Sequence, residues 1–152
     1  MKKILTPNIA GALFAAALLF AFTQTKAQSQ LLIRHFSAMY KGKTSVAVDA
    51  LPDHNFLFRW SESSRLYRAY YDRSGAWSGT TVSYEEAAMP DDVRTRVRNQ
   101  YGGYSISFVT EIRLPGCEPV YRVQLENATT LLIVQVNADE ITEEQKLRNR
   151  PW

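Results

Sequence analysis

FLFRWSESSRLYRAYYDRSGAW, residues 56–77, is the stretch whose reading decides the fold. Phe56, Phe58 and Trp60 alternate with Leu57 and Arg59, the period of two that places successive side chains on opposite faces of a strand. Ser61-Glu62-Ser63-Ser64 has the composition of a turn and leads into a second run, residues 66–72. Ser74-Gly75 then turns the chain into a third, residues 76–84. Connections this short join antiparallel neighbours, so the stretch predicts a meander.

Working outward, the period changes to that of a helix on either side. Pro90 opens the clearer one, with Asp91 and Asp92 in its first turn where the helix dipole favours acids, and Gly102-Gly103 closes it. Val93, Val97 and Tyr101 form its apolar stripe. Residues 29–41 behave alike, with Leu32, Phe36 and Tyr40 as the stripe and Gly42 near the end. After the second helix the strand period returns over residues 104–113, 120–126 and 130–137, with Pro115-Gly116 and Asn127-Ala128 as turns.

The two halves can be overlaid. Leu32, Phe36, Tyr40 and Gly42 each lie 61 residues before Val93, Val97, Tyr101 and Gly103. At an offset of 65, Phe56, Phe58 and Trp60 fall on Tyr121, Val123 and Leu125, and Tyr67, Ala69 and Tyr71 on Leu132, Val134 and Val136. The expectation is an α+β domain: a curved antiparallel sheet with both helices packed on one face, built by tandem duplication of a helix-plus-strands unit.

The start of the chain has a different purpose. Met1-Lys2-Lys3, an apolar run over residues 9–22 and the polar segment ending at Ala27 match the three regions of a cleavable secretory signal, residues 1–27. A membrane-spanning helix needs about 20 apolar residues, which this run does not reach. Cleavage takes three of the 18 basic residues, Lys2, Lys3 and Lys26, and balances the remainder against 15 acids. The basic footprint of a nucleic-acid binder leaves with the leader, so no nucleic-acid partner and no membrane association are expected after cleavage. Residues 28–152 then form a single periplasmic or secreted domain, large enough to bury a core without cross-links. The one cysteine, Cys117, cannot form an intramolecular disulfide and reads as an ordinary loop residue.

Four segments, FLFRW, RAYYDRSGAW, AAMPDDVRTRVRNQY with its following Gly-Gly, and VYRVQLENATTLLIVQVNADEI, together resemble the exported β-lactamase-inhibitor-like, PepSY-like domains of bacteria. The resemblance spans roughly residues 31–141 and rests on aromatic, proline and turn positions. It departs from the pattern at Asp139-Glu140, where an Asp-Gly turn is usual. It implies a non-enzymatic binding or inhibitory module acting outside the cytoplasm, with no residues that can be carried over as inhibitory.

The chemistry-bearing residues agree. His35 and His54 lack metal-ligand spacing, and a lone cysteine rules out C-x-x-C sites, so no cofactor and no metal are expected. Gly42-Lys43-Thr44 imitates the end of a phosphate-binding loop, but its first glycine is replaced by Ser37 and it follows a helix. Glu85, Glu86, Asp91 and Asp92 read as helix N-terminal acids, Arg94, Arg96 and Arg98 as a solvated helix surface, and Asn127-Ala128-Thr129 as a sequon by pattern only.

Strand alternation names a better candidate. If the aromatic set faces the helices, then Arg59, Arg68 and Tyr70 face away, joined by Arg122, Gln124 and Gln135 from the second half. Arginine and tyrosine are enriched at binding hot spots, although arginine on an open sheet also serves solubility. The leading reading is recognition of an envelope or extracellular protein or peptide on this face. The alternative is a small-ligand carrier or cone-shaped enzyme with a pocket between sheet and helices, lined by Trp60, Trp77 and the tyrosines. A purely structural envelope or matrix role is the third.

Overall fold

The structure, a computed structural model, describes Leu32, residues 34–41 and residues 46–148. The leader expected at residues 1–27 and the beginning of the first helix lie outside the described residues. The chain divides into two compact units, residues 1–41 and 42–152.

In the first unit, Leu32 and residues 34–39 are helical, here α1. Leu32 and Phe36 are buried, and the rings of Phe36 and Tyr40 lie 5.2 Å apart, one turn from each other. This is the stripe expected from the sequence.

The second unit is one antiparallel sheet of eight strands in sequence order. Its strands are β1 (Ala47–Ala50), β2 (Phe56–Glu62), β3 (Arg65–Tyr71), β4 (Trp77–Tyr84), β5 (Ser105–Arg113), β6 (Val120–Glu126), β7 (Thr130–Val136) and β8 (Ile141–Arg148). The helix α2 (Asp91–Gln100) is inserted between β4 and β5. Along the chain, therefore, a helix is followed by four strands, twice. β1 and β8 carry no strand period in the sequence. Both are edges, and neither shows the period of a half-buried strand, since β8 is exposed almost throughout.

Turn chemistry fixes the register. Ser63 and Ser64 both adopt positive φ, 48° and 61°, the primed geometry that matches the twist of a two-residue hairpin. Elsewhere side chains close the turns. The Asp72 carboxylate accepts hydrogen bonds from the backbone of Ser74 and Ala76 and from the Ser74 hydroxyl. Asn127 Oδ1 accepts from the amides of Thr129 and Thr130, and Asn137 Oδ1 from those of Asp139 and Glu140. The asparagine explains why the last turn manages with Asp139-Glu140 and no glycine. Gly116, at φ 70°, supplies the left-handed residue after Pro115 that a type II turn requires.

α2 covers one face of the sheet. Val93 and Val97 join Met89, Val82, Val109, Val123, Leu125, Leu132, Val134 and Val136 in one core cluster. The three helix arginines are more than solvated surface. Arg98 grips Glu86 with two hydrogen bonds of 2.8 and 2.6 Å, Arg96 donates to the Asn137 carbonyl at 2.7 Å, and Arg94 donates to the Met89 carbonyl and pairs with Asp91. Glu86 and Asp91 are thus partners of this bracing, and Arg65 adds to it from the β2–β3 hairpin by donating to the Ala88 carbonyl at 2.9 Å.

Candidate binding face

Register places all six candidate residues on the face opposite α2. On β2 and β3, Phe58 pairs with Ala69 and Trp60 with Tyr67, so the intervening Arg59 pairs with Arg68 and Leu57 with Tyr70. Phe58, Trp60, Ala69 and Tyr71 are buried whereas Arg59 is exposed, which confirms the alternation. On β6 and β7, Val123 pairs with Val134 and Leu125 with Leu132, all buried, so Arg122 pairs with Gln135 and Gln124 with Ile133 on the other face.

The six form two groups. Arg59, Arg68 and Tyr70 lie on β2–β3, and Arg122, Gln124 and Gln135 on β6–β7. β4 and β5 intervene, which at about 4.8 Å per strand puts β3 roughly 14 Å from β6.

Their electrostatics differ. Arg59 donates through Nε to Asp49 Oδ2 at 2.6 Å and through a second nitrogen to Oδ1 at 3.2 Å, and Asp49, by hydrogen bonding first and charge second, holds the guanidinium proton above its ordinary pKa. Arg122 Nε donates to Glu144 at 2.6 Å. Arg68 carries no ion pair among the described residues, and it faces Arg59 on one side and Thr81 on the other.

Sequence reasoning missed both acids, because each sits on an unread edge strand. It also missed Phe108, which is 44% exposed on this face. A bulge between Ile106 and Phe108 breaks the period of two, so strict alternation along β5 assigns Phe108 wrongly. Leu131 and Ile133, apolar on the same face, are half-buried beside Leu147 and Gln145 of β8.

Several of the aromatic residues proposed to line a pocket are engaged by neighbouring side chains. Trp60 stacks on Tyr67 with ring centroids 4.8 Å apart, Phe58 meets Tyr71 edge-on at 5.1 Å, and the Trp77 indole donates to Thr80 Oγ1. The buried carboxylate on the α2 face, Glu111, is likewise partnered. It accepts from the Tyr84 hydroxyl at 3.1 Å and from Arg113 Nε at 2.6 Å. Burial first, and the Glu111 charge second, push the Tyr84 phenol well above its ordinary range. Among the described residues no group of acids, histidines or cysteines is gathered as for a metal ion. No described helix is long and apolar enough to cross a membrane.

No family model matches the chain, and no curated protein does. Solved structures do. A BLIP-like protein from Bacteroides fragilis superposes with a TM-score of 0.65 at 13% identity, over 80% of this chain and 88% of that one. A DUF2874 family protein from Bacteroides uniformis gives 0.60 at 14% identity, over 78% and 87%. A Bacteroides eggerthii protein provisionally assigned to the periplasm gives 0.61 at 11%, over 78% and 86%. These likenesses reach the β-lactamase-inhibitor-like part of the resemblance and leave the PepSY-like part without a counterpart. At such identities they establish that this chain is similar in fold to BLIP-like and DUF2874 proteins.

Proposed function

We propose that the protein is an exported, non-enzymatic module that binds a protein or peptide across the sheet face opposite α2. The observation that carries this reading is the composition of that face: the Arg68 and Tyr70 side chains have no hydrogen-bonding partner among the described residues, and the exposed Phe108 and Leu147 share the face with them. Arginine and aromatic residues together are the composition of binding hot spots.

The free edges argue for the face over strand addition. β1 has only four residues, and β8 carries Glu143, Glu144, Lys146 and Arg148 with a bulge opposite Ile133/Val134, devices that discourage edge pairing. Export is supported by the leader-like residues 1–27 and by the structural likeness to a protein assigned to the periplasm. On this reading residues 28–152 are the exported domain. Its two halves are copies of one unit, supported by the common register: Phe56 pairs with Tyr71 as Tyr121 pairs with Val136, each 65 residues on.

The test is capture from the cell envelope of the source organism, with the immobilised native chain beside an Arg68→Ala, Tyr70→Ala variant. The expected outcome is a protein retained by the native form and lost by the variant, identified by mass spectrometry. Retention of every captured protein by both forms would move the site off this face.

A further inference from the structure

Arg59 and Arg68 are direct cross-strand partners. Side chains so placed have Cβ atoms about 4.5–5.5 Å apart, and like charges in that position are destabilising. An anion beside the pair relieves that repulsion. Asp49 supplies one carboxylate, and it is committed to Arg59 by two hydrogen bonds. Arg68 has Leu66 and Tyr70 as its same-face neighbours along β3 and Arg59 and Thr81 across from it, so none of the four brings a negative charge. The other arginine of the candidate set, Arg122, is exposed but already balanced by Glu144. A positive charge without a counter-charge is thus confined to the β2–β3 part of the face.

The surface beside it has the shape and chemistry for an extended segment. Two clefts of about 410 and 320 Å³ adjoin and share Ser61 and Leu66. The first reaches Arg59 and Ala47, and the second runs past Ser83 and Ser107 to Phe108, with Arg65 and Glu85 also in its lining, so the uncompensated positive charge lies at the Arg59 and Arg68 end. Ser83 and Ser107 are held by Thr110 and by the Gln124 carbonyl, so the trough offers a peptide backbone chiefly the Ser61 hydroxyl, while Leu66 and the exposed Phe108 offer apolar contact. The Ser61 hydroxyl makes no hydrogen bond within the described residues, which leaves it available to a ligand.

We propose that the partner enters this face with an acidic residue, an Asp or Glu on an extended segment, whose carboxylate sits between Arg59 and Arg68 while the segment lies along the serine-lined trough towards Phe108. The proposal rests on the open-face reading and adds the partner's chemistry to it. A basic segment would meet the Arg68 guanidinium, which has no counter-charge, and be disfavoured, so Arg68 also discriminates between partners.

The experiment pans a phage-displayed random decapeptide library against the full chain and against its Arg68→Glu, Tyr70→Ala, Leu66→Ala and Arg122→Glu variants. Circular dichroism melts of all five proteins verify folding. The native chain is expected to enrich peptides with an acidic position. Arg68→Glu should weaken those peptides about tenfold or more and select basic ones instead, whereas Arg122→Glu should change them by less than about threefold, because its charge is already neutralised. Affinity should also fall as salt rises. Selected peptides without an acid, bound equally by Arg68→Glu but lost on Tyr70→Ala, would overturn the acidic partner and keep the open face. Enrichment of no sequence, or binding indifferent to Arg68, Tyr70 and Leu66 replacements alike, would overturn both.

Discussion

The two halves of the sheet share a frame and differ in what they hang on it. At an offset of 65 residues the buried positions coincide: Phe58 and Trp60 with Val123 and Leu125, Ala69 and Tyr71 with Val134 and Val136. Yet the first half faces inward with aromatic rings, stacked Trp60–Tyr67 and edge-on Phe58–Tyr71, and the second with valine and leucine. Outward, the second half is charge-balanced by Arg122–Glu144, while the first carries two cross-strand arginines and a single engaged acid. Backbone register tolerates wide variation in side chain as long as polarity alternates. The departures from symmetry gather on β2 and β3.

The hardest test of the common frame is to remove equivalent core residues. Trp60 is 3% exposed and Leu125 fully buried. Truncation to alanine should cost roughly 3–5 kcal/mol at Trp60 and roughly 2–5 kcal/mol at Leu125, from lost transfer free energy and the cavity left behind. Because the β4–β5 ladder joins the halves into one sheet, urea unfolding should show a single transition whose midpoint falls in both variants. Two transitions, one per variant-sensitive half, would break the comparison by showing that the halves fold separately.

Much of this frame is legible in the sequence. Strong alternation at Phe56–Trp60 and in the 120–126 and 130–137 runs located the interior strands, and with them the faces of Arg59, Arg68, Tyr70, Arg122, Gln124 and Gln135. What stayed hidden follows from the same physics. β1 and β8 bury little, so no hydrophobic period announces them, and their acids Asp49 and Glu144 could not be matched to the arginines they neutralise. The β5 bulge shifted Phe108 by one residue, an event no periodicity reports. The tasks of Arg94, Arg96 and Arg98 depend on carbonyls and acids brought near by the fold, Asn137 among them, 41 residues from Arg96.

The hairpin tips sharpen the comparison on a smaller scale. In the first half Ser63 and Ser64 sit at positive φ, where a side chain is strained, whereas the equivalent turn closed by Asn127 places no residue there. Ser64→Gly should therefore stabilise the protein by roughly 1 kcal/mol, the strain of a left-handed residue relieved. Ala128→Gly should instead destabilise it by about 0.5 kcal/mol, since only the unfolded chain gains freedom. Thermal unfolding of the two variants reads both signs, and the same sign in both would mean that the tips are not distinguished by backbone strain.

The smallest effect, absent at neutral pH, lies at the seam where the halves meet. Tyr84 on β4 donates to Glu111 on β5, and its phenol is held above the ordinary value of 10.0 by burial and by that carboxylate. A raised pKa means that the folded state keeps the proton more tightly than the unfolded chain does. The resulting stability is complete below pH 10.0 and drains away as the pH rises beyond it, because the unfolded chain ionises first. Tyr121 and Tyr101 are raised as well, each chiefly by burial, and contribute in the same sense. Tyr84→Phe loses the hydrogen bond at every pH, so the variant begins less stable, but its stability should decline less steeply above pH 10 than that of the native protein. The urea midpoint measured from pH 8 to 11 gives both slopes. Parallel decline would show that the seam tyrosine ionises as freely in the sheet as in the unfolded chain.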